Sequence, residues 1–356
     1  GEGETVDVAA DVAASNLTFA ADGYTLSGTG RLSVAGALFA TDAVTATVSS
    51  ELRSTVGLSK TGGGTLALSN PNAALTNAMT VTAGTLALQA AAIPGAVSVA
   101  SPGALTVLPA ATNGLTGFYY NVAPATTNFS SLAAMEAHFS SLTPDLVSGS
   151  SAAGDSFGFG SSGALFPLPY CPGGPRTNNF EAVWRGTLAI PSSTYYSFKF
   201  THDCGFLLAI DNKMVLNRLV NTVTEGTFYL DAGSHSIVLG YFQDAGLYGL
   251  QIEVKALYSS SYSSLPNAWL KPYTTVGTLS GTGNTTLSAE GSSLNTAPKT
   301  AAQLSGTLAG TTGSLFTKSG WGLLTLASSA AVSNTSLSDV AVAGGVLALA
   351  SDERIG

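Results

Sequence analysis

The sequence predicts an all-β protein: a β-solenoid split by a β-sandwich. Three observations predict it. Bursts such as Val6-Asp7-Val8, Leu17-Thr18-Phe19, Leu66-Ala67-Leu68 and Val97-Ser98-Val99 alternate apolar with small or polar residues, and Gly, Asn, Asp and Pro separate them. Alternation of this kind, punctuated every ~8–12 residues, is the pattern of short strands. An internal repeat is shared by the two ends of the chain. The aromatic residues, both cysteines and all three histidines gather in the middle.

Composition narrows the functions open to the chain. It has 356 residues, 45% of them hydrophobic and only 10% charged, against about 25% charged in ordinary soluble domains. The surface is therefore built of Ser, Thr, Asn, Gly and Ala. Forty-one glycines and 14 prolines without a collagen-like period indicate many turns. The net charge is −8 and no cluster of even four Lys or Arg residues occurs, so nucleic acid is not an expected partner. No apolar run approaches the ~20 residues that span a bilayer, and no membrane insertion is expected. The chain does not begin with Met, and Gly1-Glu2-Gly3-Glu4 is no signal peptide, so it reads as mature or excised from something longer. Low charge and high Ser/Thr content suit an extracellular or cell-surface location. Cys171 and Cys204 fit either one disulfide in an oxidising compartment or two buried thiols. Sequons occur at Asn16, Asn128, Asn284 and Asn334.

Residues 1–113 form the N-terminal solenoid, where no helical period interrupts the bursts. Lys60-Thr61-Gly62-Gly63-Gly64-Thr65-Leu66-Ala67-Leu68 returns as Lys318-Ser319-Gly320-Trp321-Gly322-Leu323-Leu324-Thr325-Leu326. Val81-Thr82-Ala83-Gly84-Thr85-Leu86-Ala87-Leu88 returns as Val342-Ala343-Gly344-Gly345-Val346-Leu347-Ala348-Leu349. The two halves keep similar separations in both copies. Such repeats argue for a solenoid, in which each coil buries its apolar face only by stacking on its neighbours. The lysine–glycine segment ending in Leu-x-Leu, followed by a glycine-led Leu-x-Leu segment, resembles the passenger-associated repeat of bacterial autotransporters. That resemblance covers about residues 1–110 and 275–356 and implies a right-handed parallel β-helix.

Residues 114–258 hold the bulky side chains that the flanks lack, among them Phe118, Tyr119, Trp184, Phe228 and Tyr241. They suffice for a sandwich core. Ser131 to Ser141, with Leu132, Met135, Ala137 and Phe139, is the one predicted helix. Phe198 to Lys213 reads as two strands joined by a tight turn. Phe198 and Phe200 alternate with polar neighbours, Gly205 breaks the run, Phe206 to Ile210 resumes it, and Asp211-Asn212 has hairpin-turn chemistry. The segment resembles the protective-antigen domain family, a β-sandwich of toxins, adhesins and glycosidases. The resemblance is carried, in order, by Gly114 to Asn121, Phe180-Glu181-Ala182-Val183-Trp184-Arg185-Gly186, Tyr196 to Gly205, Leu208 to Asn212, Leu230 to His235 and Ile237 to Phe242. It implies an antiparallel sandwich inserted between solenoid coils.

In the sugar-binding members of that family, adjacent aspartates in the central turn hold a calcium ion that binds sugar hydroxyls. The resemblance places Asp203 and Cys204 at those positions. Calcium takes about six to eight oxygen ligands, and a thiol or disulfide supplies none. The family's site is therefore expected to be lost, leaving Asp203 and Asp244 as a degenerate calcium and glycan site. Asp203 equally reads as a cap of its own turn. A Cys171–Cys204 bridge would fasten the Pro- and Gly-rich loop across the strands, closing a loop worth about 3 kcal/mol in the chain-entropy model. A nucleophilic Cys204 would need a base such as His202. His138 and His235 lack metal-ligand spacing, no Gly-x-Ser-x-Gly elbow occurs, and the flanking carboxylates form no pair at strand spacing. No catalytic residue, cofactor or resident metal is expected, and the chain does not read as an enzyme.

Residues 259–356 are expected to continue the first solenoid. The chain stops within a repeat and starts directly on strand-like residues. An uncapped solenoid is a template for further stacking, so Thr5, Val6, Val8, Leu347, Leu349 and Ile355 are expected assembly ends. The partners would be copies of the chain head to tail, or further repeats of a longer chain. The expected function is that of an extracellular structural protein, a segment of a filament or fibre displaying the sandwich. The alternative is a cell-surface adhesin or lectin that binds glycans through it.

Overall fold

Two kinds of strand divide the chain. Among the described residues, Gly1–Ala111 and Thr274–Gly356 carry short parallel strands and form one compact unit, and Thr112–Tyr273 carries mainly antiparallel strands and forms a second. The computed structural model describes residues 3–69, 75–90, 92–121, 130–142, 144–149, 158–159, 179–202, 204–218, 222–244, 249–289, 292–320, 322–327, 339–342 and 345–350.

The first unit is a parallel β-solenoid. Alternation aims one set of side chains inward, and each coil repeats the set in register. Leu26, Val48, Leu68, Leu88, Val107 and Leu287 lie one above another on successive strands. From Val48 onward these residues are at most 1% exposed. Full burial of such a side chain is worth about 1.5–3 kcal/mol, and a lone coil has no second layer with which to gain it. The corners are tied by side chains that reach one coil ahead. The Oδ1 atoms of Asp11, Asn16, Asp22 and Asp42 accept the backbone N–H of Arg31, Ala37, Thr45 and Gly63 at 3.0, 2.7, 2.7 and 2.9 Å. Asn284 does the same for Thr307 at 3.3 Å. The sequon residues Asn16 and Asn284 are thus corner ties; Asn128 and Asn334 lie outside the described residues.

The repeated lysine has an internal role. Lys60 and Lys318 are wholly buried. Lys60 Nζ donates to the carbonyls of Thr61, Gly62 and Ala83 at 3.0, 2.9 and 3.1 Å, and Lys318 Nζ to those of Ser319 and Gly320 at 2.9 and 2.8 Å. Burial lowers the pKa of Lys60, while carbonyl acceptors favour its charged form. Gly62 and Gly320 turn at φ +75° and +72°, a left-handed conformation natural to glycine. Ala83 belongs to the coil after Lys60, so the ammonium pins one turn to the next.

The solenoid runs on across the insertion. Ala92–Val99 pairs in parallel with Thr274–Gly281, and Ala104–Leu108 with Asn284–Leu287. The boundary drawn from sequence at residue 258 shifts. Ser263–Ser264 pairs with Glu253 and Val254, and Leu270–Pro272 pairs with Gly186 to Leu188. Leu265 and Leu270 enter the sandwich core, so residues 259–273 belong to that unit.

The second unit is an antiparallel sandwich, whose sheets have seven and five strands among the described residues. Tyr119, Phe180, Trp184, Phe198, Phe200, Phe206 and Tyr241 are buried in its core. The predicted helix is present as Leu132–Ser141, and the Ser131 hydroxyl accepts the Ala134 N–H at its N-terminus. No helix among the described residues is long and apolar enough to cross a membrane.

Replacing Lys60 with Met removes the donor to three turn carbonyls and is expected to cost about 1–3 kcal/mol. The loss should be local to the coils around Leu58–Thr61 and Met79–Val81, and is read as faster amide exchange there. Unchanged exchange would show that the ammonium does not hold the turns.

Candidate functional site

The stretch predicted as one hairpin is a corner between the two sheets. Thr194–His202 is a central strand of the five-stranded sheet, whereas Gly205–Ile210 pairs within the seven-stranded sheet. Local alternation cannot reveal this, because sheet membership is set by distant partners: Val254 faces Phe198, and Phe242 faces Gly205. Phe200 and Phe206 stack at 4.6 Å between ring centroids, closing the core beside the corner. A β-carbon on Gly205 would lie 1.9 Å from the Phe242 ring, so no side chain fits there. The hairpin proper joins Gly205–Ile210 to Lys213–Arg218. Its turn residues Asp211 and Asn212 have φ +48° and +60°, matching the turn chemistry expected of them.

Hydrogen bonds join the described residues of the corner. Cys204 sits at φ +52°, and its Sγ accepts the Asp244 N–H at 3.4 Å. The Asp244 carbonyl accepts the Asn179 N–H at 3.1 Å. His202 is buried; its Nδ1–H donates to the Cys204 carbonyl at 3.0 Å, and its ring lies edge-on to Phe206. The imidazole thus engages the carbonyl of Cys204 rather than the thiol. Cys204 is a free, half-buried cysteine. Cys171, the other half of the expected bridge, and Asp203 lie outside the described residues. Cys204 presents sulfur where calcium needs oxygen, and no group of three or more His, Cys, Asp or Glu residues suited to a metal exists among the described residues. Those residues do not fit a calcium centre.

The sandwich also buries charge that the sequence reading did not pair. Arg185 makes a two-pronged contact with Glu136 at 2.5 and 2.7 Å, and His138 Nε2–H donates to Glu181 at 2.5 Å. These pairs dock the helix onto the strand Phe180–Ile190. Burial acts to lower the pKa of Arg185, and the adjacent Glu136 outweighs it. Burial pushes the Tyr119 phenol up to about 12, and its oxygen accepts the Trp184 indole N–H at 3.1 Å. At the hairpin, His235 Nδ1–H donates to Asp211 Oδ2 at 2.6 Å and Nε2–H to the Asp231 carbonyl at 2.9 Å. Trp269 packs edge-on to the buried Tyr196, while Tyr170 and Tyr248 lie outside the described residues.

The expected assembly ends are placed unevenly. Thr5 and Val6 are exposed, Val8 is buried, Leu347 is half-buried and Leu349 is exposed; Ile355 lies outside the described residues. Single exposed apolar residues are ordinary on protein surfaces, so their exposure alone marks no interface.

Residues 170–258 match the PA14 domain family. No curated protein matches the chain. Among solved structures, the chain is similar to an anti-sigma factor domain-containing protein from Clostridium clariflavum, with 24% identity over 45% of this chain and 47% of that one, at a TM-score of 0.34. It thus spans about half the length of that protein. It is similar to the PA14 sugar-binding domain of an RTX adhesin, with 20% identity over 46% of this chain and 99% of that one, at 0.36. It is also similar to the A domain of epithelial adhesin 6 from Candida glabrata, solved with Galb1-3GlcNAc, with 13% identity over 47% and 88%, at 0.36.

Two outcomes follow from these charge pairs. The hydrogen bond to Asp211, with the Asp231 carbonyl, raises the pKa of His235 against burial. A raised pKa means that the stabilisation is fully present below about 6.5, the unfolded value, and is lost as pH rises through the folded pKa. The unfolding midpoint of the sandwich should therefore fall across that window, and His235→Gln should flatten the fall; an unaltered pH profile would exclude the clamp. Arg185→Met strands Glu136 and should cost about 3–5 kcal/mol in urea unfolding, with Glu136→Leu added to it recovering most of the loss.

Proposed function

We propose that this protein is an extracellular, non-catalytic adhesin in which stacked solenoid coils carry a carbohydrate-binding sandwich. The observation that carries the reading is the match of residues 170–258 to the PA14 domain family, falling on a chain segment folded as a two-sheet antiparallel sandwich. Members of the family that bind sugars do so as sandwiches of this kind. The low-charge solenoid suits a stalk role, since its coils gain stability by stacking and present Ser, Thr and Ala outward. Glycan binding here is calcium-independent, because Cys204 replaces an oxygen ligand and the corner is held by hydrogen bonds that need no ion.

Glycan-array binding by the purified chain, with and without a calcium chelator, tests the reading. Retention of at least one glycan class, unchanged by chelation, is expected. A folded chain that retains none sinks the adhesin reading, and a large calcium-dependent rise in the unfolding midpoint would restore a metal-held site.

A further inference from the structure

The outer face of the five-stranded sheet is graded from aromatic to charged. Side chains two apart on a strand share a face, so Tyr195, Ser197 and Lys199 point outward along Thr194–His202. On the neighbouring strand they meet Tyr229, Thr227 and Glu225. Tyr195 and Tyr229 are 49% and 51% exposed, with ring centroids 5.4 Å apart and planes at 73°. The next row is a hydroxyl pair, Ser197 Oγ to Thr227 Oγ1 at 2.7 Å. The row after it is ionic: Lys199 contacts Glu253 at 2.5 Å, and the Lys199 and Lys255 ammoniums lie 5.2 and 4.5 Å from the Tyr262 ring. Beside the aromatic row, the Leu257 N–H donates to the Tyr195 carbonyl at 2.7 Å. The next residue, Tyr258, is 96% exposed at φ +70°, a conformation uncommon for a bulky side chain.

We propose that this face is a stacking platform for a neutral oligosaccharide. Tyr195 and Tyr229 take the apolar faces of the sugar rings, and Ser197 and Thr227 meet their hydroxyls. Charge selects the occupant. The ionic row is compensated within itself, leaving no charge for an ionic partner to complement, and a chain of net charge −8 repels an acidic polymer. Size excludes a second copy of the chain, since a stable protein interface takes about 20–30 residues a side. At the Thr194 end of this face the exposed apolar residues are Tyr195 and Tyr229, with Leu257 and Tyr258 beside them, and Val223 lies apart beyond the ionic row; the aromatic end is a footprint suited to a few sugar rings. The platform lies at the Thr194 end of its strand, whereas the Cys204 corner lies at the His202 end. The proposal rests on the glycan-binding reading and names the surface that does the binding.

The test titrates the full chain with cellohexaose, chitohexaose, xylohexaose and maltohexaose, and with polygalacturonate as the charged counterpart, by calorimetry. At least one neutral probe should bind. Tyr195→Ala with Tyr229→Ala should weaken it about tenfold or more, while the paired Phe variants stay within about threefold, because the ring and not its hydroxyl makes the contact. Asp244→Ala, at the other end of the sandwich, should leave binding unchanged. Should the alanine pair unfold, the paired Thr variants, which keep strand-favouring side chains, take its place. Binding that survives loss of both rings, or that Asp244→Ala abolishes, overturns the platform and leaves the adhesin reading standing. Preference for polygalacturonate overturns the neutral ligand, and failure of every probe here and on the array overturns both.

Discussion

The solenoid depends on one parallel register, that of Ala92–Val99 on Thr274–Gly281, between strands separated in sequence by the whole sandwich. A slip of one residue would turn every inward side chain outward, and Val276 and Leu279 would leave the core they share with Ile93 and Val97. Closing so long a loop costs entropy in an unfolded chain. The sandwich lessens that cost by bringing its own two ends together. Gly114 N–H donates to the Leu270 carbonyl at 2.9 Å, the Thr116 hydroxyl to the Tyr273 carbonyl at 2.9 Å, and Lys271 Nζ to Asn113 at 2.6 Å. Adjacent ends are what makes insertion of a folded domain tolerable.

What could be read in the sequence was what repeats or alternates. The paired Leu-x-Leu segments marked the coils, and the aromatic cluster marked the sandwich core. Ser131 marked the helix start. Features that depend on distant partners were not legible. Nothing local distinguishes the corner after His202 from a hairpin turn, because each strand reads alike whichever sheet it joins. Leu265 and Leu270 follow a serine-rich stretch in a segment with no strand-like alternation, so their place in the sandwich core could not be seen. Glu136 and Arg185 meet across many intervening residues, and the repeat lysine reads as a motif mark until its turn carbonyls are known. Tyr195 and Tyr229 adjoin the core residues Tyr196 and Phe228, and strand periodicity alone does not say which neighbour faces water.

The resemblance to the protective-antigen family pointed to a metal-binding turn at Asp203 and Cys204; Asp203 lies outside the described residues, and Cys204 stands at the corner between the two sheets. Its described part is organised differently. Here Cys204, His202, Asp244 and Asn179 form a chain of hydrogen bonds fixed from behind by the Gly205–Phe242 approach. Removing an oxygen ligand therefore leaves no unpaired cluster of acids among the described residues. The corner keeps its shape by packing.

The same economy of charge runs through both units. In the solenoid, Asp11, Asp22 and Asp42 are spent on backbone N–H groups of the next coil, and the two buried lysines on turn carbonyls. In the sandwich, Arg185 and Lys199 are matched by Glu136 and Glu253. Charge used this way fixes backbone and core. On the proposed platform of Tyr195, Tyr229, Ser197 and Thr227, recognition would rest on shape, aromatic rings and hydroxyls, whose contacts are short-ranged and little screened by salt. A neutral glycan offers the complementary set: apolar ring faces edged with hydroxyls and no charge to steer.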